Sequence, residues 1–210
     1  MADLKVKRRV LGLCQTNCYY VYREGADEIV IIDPGDSGAQ VYEDVKSLGF
    51  EKVAGILLTH GHGDHTGGVQ ELKSLSGAKV FAYEDEAGLL KDPENNVSGW
   101  FGKAYGFEAD EYFSDRQTFT MAGVELETLH TPGHTKGGCC FYAKADGILF
   151  CGDTIFNGSV GRTDLYSGSA GALIDSIRER IMTLPDEVKL YPGHGDASTV
   201  GYERTHNPFI

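Results

Sequence analysis

The chain has 210 residues, with 31 acidic against 19 basic side chains and a net charge of −12. That length can bury a full core, and the acidity argues against nucleic acid, whose phosphates need a concentrated cationic surface. A charged N-terminus without an apolar signal core, and no long apolar run, predict a cytoplasmic protein without membrane association, its five cysteines reduced and mostly buried.

The 28 glycines are nearly twice the usual share of about 7% and come without excess proline, which predicts short elements joined by tight turns. Strands are expected over Leu4–Leu13, Cys18–Arg23 and Glu28–Asp33 as an antiparallel meander. Val41, Val45 and Leu48 recur at helical spacing before Gly49, and the apolar run Val53–Leu58 reads as a buried strand. A helix opening at Thr66 and carrying Val69 and Leu72 follows, then a strand over Lys79–Ala82 and an acidic helix over Glu84–Leu90. Lys91–Phe107 lacks periodicity, and Trp100, Phe101 and Tyr105 make it a candidate apolar lid. Strands over Gln117–Met121, Val124–His130, Gly138–Ala143 and Gly147–Cys151 meet at turns suited to hairpins, Ala122-Gly123 and Asp146-Gly147. A helix over Ala170–Thr183, with Leu173, Ile174, Ile177 and Ile181 on one side, precedes a strand over Val188–Tyr191. Strand-rich then helix-rich segments occur twice with no linker between them. One α/β domain over residues 1–210 is expected, with two stacked sheets between outer helices.

Between the Val53–Leu58 strand and the helix at Thr66 lies His60-Gly61-His62-Gly63-Asp64-His65. Imidazole and carboxylate suit zinc, iron or manganese, and the glycines let the backbone turn tightly enough to aim neighbouring side chains at one point. A lone histidine is usually an ordinary loop or core residue, but this peptide holds three of the chain's seven. His134 in Thr131-Pro132-Gly133-His134-Thr135 and His194 in Tyr191-Pro192-Gly193-His194-Gly195 occupy similar turns after apolar runs. Asp153, in Cys151-Gly152-Asp153-Thr154, completes the candidates. His130 ends a strand and is read as a supporting or structural residue, His206 as a bystander, and Cys151 as a buried thiol.

This succession resembles the metallo-β-lactamase-fold superfamily over nearly the whole chain. The resemblance implies a four-layer αββα sandwich with the site at the sheet edges. It assigns one metal to His60, His62 and His134, a second to Asp64, His65 and His194, and Asp153 as the bridge. Asp33, in Ile31-Ile32-Asp33-Pro34-Gly35, matches the earliest motif and either orients a ligand imidazole or serves as a turn residue. Within the superfamily, Asp153-Thr154-Ile155-Phe156, Gly161-Arg162-Thr163-Asp164, Thr199, Gly201, Glu203 and Asn207-Pro208-Phe209 look like the short, bacterial type of glyoxalase II, the hydroxyacylglutathione hydrolases. Arg162 matches a position that binds the glutathione carboxylate there, a salt bridge to Asp164 being its other reading. The chain stops at Ile210 without the C-terminal helical domain of longer members, so tight glutathione selectivity is not expected.

The implied cofactors are two divalent ions, zinc foremost, with iron or manganese as alternatives. A metal-bridged hydroxide would attack a small-molecule thioester such as S-lactoylglutathione, with Asp64 holding it in line. A thiol of pKa near 8.5 leaves as thiolate without a general acid, which suits a thioester better than an amide. The rivals are a glutathione persulfide dioxygenase with a single iron on His60, His134 and Asp153, and a hydrolase of another small ester or lactone. Ser159-Val160 before Gly161, where a cysteine-containing turn is expected in the dioxygenases, favours hydrolysis. A lactamase is disfavoured by the lack of an export signal and by Asp153 where many lactamases use cysteine. A non-enzymatic metal-binding module is the remaining class.

Overall fold

A computed structural model describes residues 2–210, and its first half is one mixed sheet. Strands β1 (Leu4–Leu11), β2 (Thr16–Arg23) and β3 (Glu28–Ile32) form the expected antiparallel meander. Helix α1 (Gly38–Ser47) returns the chain to β4 (Lys52–Leu57), parallel to β3, and α2 (Gly63–Thr66) with α3 (Val69–Ser76) leads to β5 (Val80–Tyr83). A 3-10 turn at Glu84–Glu86, helix α4 (Ala87–Lys91) and a second 3-10 turn at Ser98–Phe101 precede the edge strand β6 (Glu111–Phe113).

The second sheet holds β7 (Thr118–Met121), β8 (Val124–His130), β9 (Cys139–Ala143), β10 (Ile148–Gly152), β13 (Lys189–Pro192) and β14 (Ser198–Thr199). A small hairpin, β11 (Ile155–Phe156) and β12 (Ser159–Val160), and helix α5 (Ala170–Ser176) lie between β10 and β13, and α6 (Val200–His206) follows β14. Strand β13 is parallel to β10, whereas the remaining pairs of this sheet are antiparallel.

Strand alternation divides the core into three layers. Val30 and Ile32 of β3 meet Leu126, Phe141 and Phe150 between the sheets, whereas Ile29 and Ile31 face Val41, Val45 and Leu72 of α1 and α3. Adjacent Cys139 and Cys140 point to opposite faces as expected, the first between the sheets and the second against Leu173 and Ile177. The order is helices, sheet, sheet, helices, which is the predicted αββα sandwich.

Several boundaries differ from the sequence reading. Strand β1 stops at Leu11 because Gly12 takes a left-handed φ of 64°. Helix α2 opens at Gly63, not Thr66, because the Gly63 amide finds a tertiary acceptor, the Asn96 carbonyl at 2.7 Å, that periodicity cannot reveal. The long helix is α5 followed by a π-helical turn at Ile177–Ile181. Strands β6, β11, β12 and β14 are too short to alternate visibly. Helix α6 was concealed by a buried acid, Glu203, which accepts hydrogen bonds from Gly158 N at 3.0 Å and Asn207 Nδ2 at 2.9 Å.

Candidate metal centre

The parallel strands bring the candidates together. Asp33 follows β3 and His60 follows β4 in one sheet; Asp153 follows β10 and His194 follows β13 in the other. All leave C-terminal strand ends on one rim, where the sheets are laced by Asn17 N to Gly193 O at 2.7 Å and Cys139 N to Thr59 O at 2.9 Å. His62 precedes α2, Asp64 and His65 ride on its single turn, and His134 comes from the loop between β8 and β9.

Two clusters of donor atoms result. His134 Nε2 lies 2.9 Å from His62 Nδ1 and 3.2 Å from His60 Nε2. His194 Nε2 lies 3.4 Å from His65 Nε2 and 3.3 Å from Asp64 Oδ2. Asp153 stands between, with Oδ1 at 3.2 Å from His65 and Oδ2 at 3.4 Å from His194 and 3.6 Å from His134. Donors about 2.1 Å from a shared tetrahedral centre lie roughly 3.4 Å apart, so these spacings fit metal ligation. Asp153 Oδ1 is moreover buried without a hydrogen bond. A Cβ on Gly193 would stand 2.1 Å from it and 2.6 Å from His65 Cε1, so only glycine leaves that carboxylate its place.

Outer hydrogen bonds set the imidazole tautomers. Asp33 Oδ2 accepts from His65 Nδ1 at 3.0 Å and from the Thr59 hydroxyl at 2.6 Å, and Oδ1 accepts from Thr59 N at 2.8 Å. With its proton committed to Asp33, Thr59 Oγ1 accepts from His60 Nδ1 at 3.2 Å. His134 Nδ1 donates to Arg162 O at 2.8 Å and His194 Nδ1 to Cys14 O at 3.1 Å. Four imidazoles thus turn Nε2 inward, and His62 turns Nδ1. The imidazole of His65, a candidate ligand, is oriented by Asp33. The residue is also a turn residue, with a left-handed φ of 51°.

Electrostatics agree with a cation site. Burial opposes charge on Asp153, yet His65 and His194 hold its carboxyl well below the usual range. Burial likewise opposes protonation of His65, but Asp153, Asp33 and Asp64 push it well above its ordinary value. His194 rises to about 9 beside Asp153 and Asp64 in spite of its burial. Burial and neighbouring imidazoles lower His60, and bring His62 to about 3, leaving both neutral for ligation. The carboxylates therefore gather positive charge where a metal would displace protons.

Residues 11–194 match the sequence model of the metallo-beta-lactamase superfamily. The chain belongs to that superfamily. It is 34% identical to a probable metallo-hydrolase of Streptococcus pyogenes, covering 99% of this chain and 90% of the relative. It is 32% identical to the hydroxyacylglutathione hydrolase GloC of Haemophilus influenzae, covering 93% of each. The B3 metallo-β-lactamase BLEG-1 superposes with a TM-score of 0.92 at 34% identity, over 98% of this chain and 99% of that one. TTHA1623, crystallised in a di-iron-bound form, superposes with a TM-score of 0.84 at 33% identity, over 98% and 100%. In this superfamily the two clusters are read as a dinuclear metal site.

The site opens into a pocket of about 450 Å³ walled by Val97, Trp100, Phe101, Phe156, Val160 and Leu165. Arg162 lines it, but its guanidinium forks onto Asp164, with Nε 2.7 Å from Oδ1 and Nη2 2.8 Å from Oδ2. The proposed lid supplies Trp100 and Phe101 to the wall, whereas Tyr105 is fastened to α2, its hydroxyl 2.9 Å from Thr66 Oγ1 and donating to Gly63 O at 3.1 Å. Cys151 is buried and its thiol donates to Ile155 O at 3.3 Å. His130 lies outside the clusters, stacked on Tyr83 with Nε2 2.9 Å from Lys136 O, and His206 stacks on Tyr202.

Glu86 is a supporting residue that the sequence reading missed. It is buried and accepts from Gly61 N and Gly137 N, each at 3.0 Å, and from the Thr135 hydroxyl, tying the His60–His62 peptide to the His134 loop. Burial raises its pKa to about 7 although all three donors oppose the rise. In sequence it is one acid among three at Glu84–Glu86, indistinguishable from a solvated face. Asn17 was missed for a similar reason; its side chain donates to Pro192 O at 2.9 Å and Gly195 O at 2.8 Å, bracing the His194 turn.

Proposed function

We propose that the chain hydrolyses thioesters, with two divalent cations in the paired clusters. The carrying observation is a donor set that shares Asp153 and opens into a pocket whose polar lining outside that set is confined to Cys14, Ser159 and Arg162. Among the described residues lining it there is no lysine, no tyrosine and no histidine outside the ligand set. A thiol leaving group, with pKa near 8.5, needs no general acid. The similarity to the Haemophilus hydroxyacylglutathione hydrolase supports the same chemistry. His60, His62 and His134 would hold one ion and Asp64, His65 and His194 the other, with Asp153 between them. Zinc is the expected ion, and the di-iron form of TTHA1623 makes iron the alternative. When bound, the ions supply Lewis acidity and a water acidified to near neutrality.

The chain's own residues do the rest. Asp64, fixed by the Thr16 hydroxyl 3.3 Å from Oδ2, faces the pocket and accepts a hydrogen bond from the attacking water. It thereby aims the water at the thioester carbonyl. The water oxygen adds to the carbonyl carbon as one water proton passes to Asp64, the carbon–sulfur bond breaks with its electron pair going to sulfur, and the thiolate takes a proton from solvent while the new carboxylic acid and Asp64 each release one. A second reading, β-lactam hydrolysis, draws on the likeness to BLEG-1; its amine leaving group must be protonated, a demand that a departing thiolate does not make.

The test is metal analysis with parallel assays on S-lactoylglutathione, other thioesters, a chromogenic cephalosporin, and glutathione persulfide with oxygen uptake. About two ions per chain, with thioester cleavage exceeding the rest, is expected. Asp64→Asn should lower kcat about 100-fold or more while the three-histidine site keeps its metal. One iron per chain with oxygen consumption would replace the proposal by the dioxygenase reading.

A further inference from the structure

We infer that the pocket accepts an uncharged, apolar acyl group, of straight medium-chain or aromatic type, in preference to an acyl group bearing a carboxylate. The inference rests on the thioesterase reading and narrows its substrate class. Six apolar side chains form the walls, and the chain's single tryptophan, Trp100, stands among them with 61% of its surface exposed. An indole left open beside Phe101 at the mouth of a catalytic cleft is apolar surface in want of a ligand.

The wall is built, not incidental. Val97 is β-branched yet held at a left-handed φ of 53°, a conformation such residues avoid. What holds it is Asn96. Its carbonyl accepts from Gly63 N at 2.7 Å, its Oδ1 from Ser98 N at 2.9 Å, and its Nδ2 donates to Tyr105 O at 2.9 Å. Gly63 belongs to α2, the helix that bears Asp64 and His65, so the apolar wall and two candidate ligands share one anchor.

Charge points the same way. Among the described residues Arg162 is the one Lys or Arg side chain lining the pocket, and both arms of its fork are taken by Asp164. A carboxylate on the acyl group would have to break the Arg162–Asp164 pair or remain unpaired, whereas an alkyl or phenyl group gains contact with every wall.

Trp100 provides a readout that requires no turnover. The purified protein is titrated with non-hydrolysable N-acetylcysteamine thioethers, S-methyl, S-butyl, S-hexyl and S-benzyl, and with an S-carboxyalkyl analogue matched in length to the hexyl. The expected result is a blue shift of tryptophan emission and affinity rising about fourfold per methylene, with the carboxylate analogue at least about tenfold weaker than the hexyl. Leu165→Ala and Phe156→Ala should flatten the chain-length slope; the wild-type series decides even if a variant fails to fold. Affinity independent of chain length would overturn the inference. So would a carboxylate analogue that binds at least as tightly as the hexyl and loses that affinity in Arg162→Ala. If the thioethers bind with the expected slope but no thioester is cleaved, the proposed function fails and the pocket assignment stands. If thioesters are cleaved without regard to acyl polarity, the reverse holds.

Discussion

Asp33→Asn probes the centre without touching a ligand. The carboxylate accepts from His65 Nδ1 at 3.0 Å, from the Thr59 hydroxyl at 2.6 Å and from Thr59 N at 2.8 Å. Asparagine tolerates the left-handed backbone at φ 51°, so the turn should survive. Its carbonyl can still serve Thr59 N, but its amide then faces two donors. One relief is for His65 to adopt the other tautomer, placing a proton on Nε2, the atom 3.2 Å from Asp153 and 3.4 Å from His194 Nε2. The proton then sits on the nitrogen that a metal in the Asp64–His65–His194 cluster would need bare. The Thr59 hydroxyl, no longer donating to Asp33, also ceases to be a dependable acceptor for His60 Nδ1 at 3.2 Å. Loss of such an outer partner costs 10–100-fold in affinity, about 1.4–2.7 kcal/mol, and the upper end is expected at the Asp64–His65–His194 site, which loses a direct bond. The lower end is expected at the three-histidine site, reached only through Thr59. Zinc titration against a chromophoric chelator, with circular dichroism of the chelated protein to verify the fold, measures both. A folded variant binding its second zinc within about threefold of wild type would refute the reasoning, since tautomer control would then be immaterial.

Gly193→Ala should bring a methyl to 2.1 Å from Asp153 Oδ1 and 2.6 Å from His65 Cε1, reducing zinc by at least one ion per chain on elemental analysis of folded protein. In chelated protein the stability due to His194, raised to about 9 by Asp153 and Asp64 against its burial, is complete below the ordinary value of 6.5 and disappears as pH rises through 9. Urea denaturation should register a decline of roughly 3 kcal/mol across that window, and the zinc-loaded protein should not show it because metal replaces the proton. Glu86→Ala leaves Gly61 N, Gly137 N and the Thr135 hydroxyl without their acceptor, a cost of roughly 3–9 kcal/mol at about 1–3 kcal/mol for each buried donor. The melting temperature should fall accordingly, and an unchanged one would mean that water replaces the carboxylate.

The sequence alone determined the candidate donor types, their setting and most of the core, because these are written in local patterns. His60-Gly61-His62-Gly63-Asp64-His65 is contiguous, and the glycine turns carrying His134 and His194 each follow a segment with the pattern of a strand. Strand alternation foretold the opposite facing of Cys139 and Cys140, and the left-handed pair Ala122 and Gly123, φ 48° and 69°, closes the hairpin its residue types announced. Tertiary structure alone decided which partner each side chain found. Arg162 reads in sequence as a free cation or as half of a pair, and only the folded loop puts Asp164 into its fork. Glu86 reads as a solvated acid until the fold brings Gly61 and Gly137 to it across 25 and 51 residues. The start of α2 depends on Asn96, and the apolar wall on the strained Val97 beside it. Periodicity records whether a residue is buried, since burial repeats with the geometry of helix and strand. Hydrogen-bond partners and pocket walls come from segments far apart in the chain, and no local pattern encodes which of them will meet.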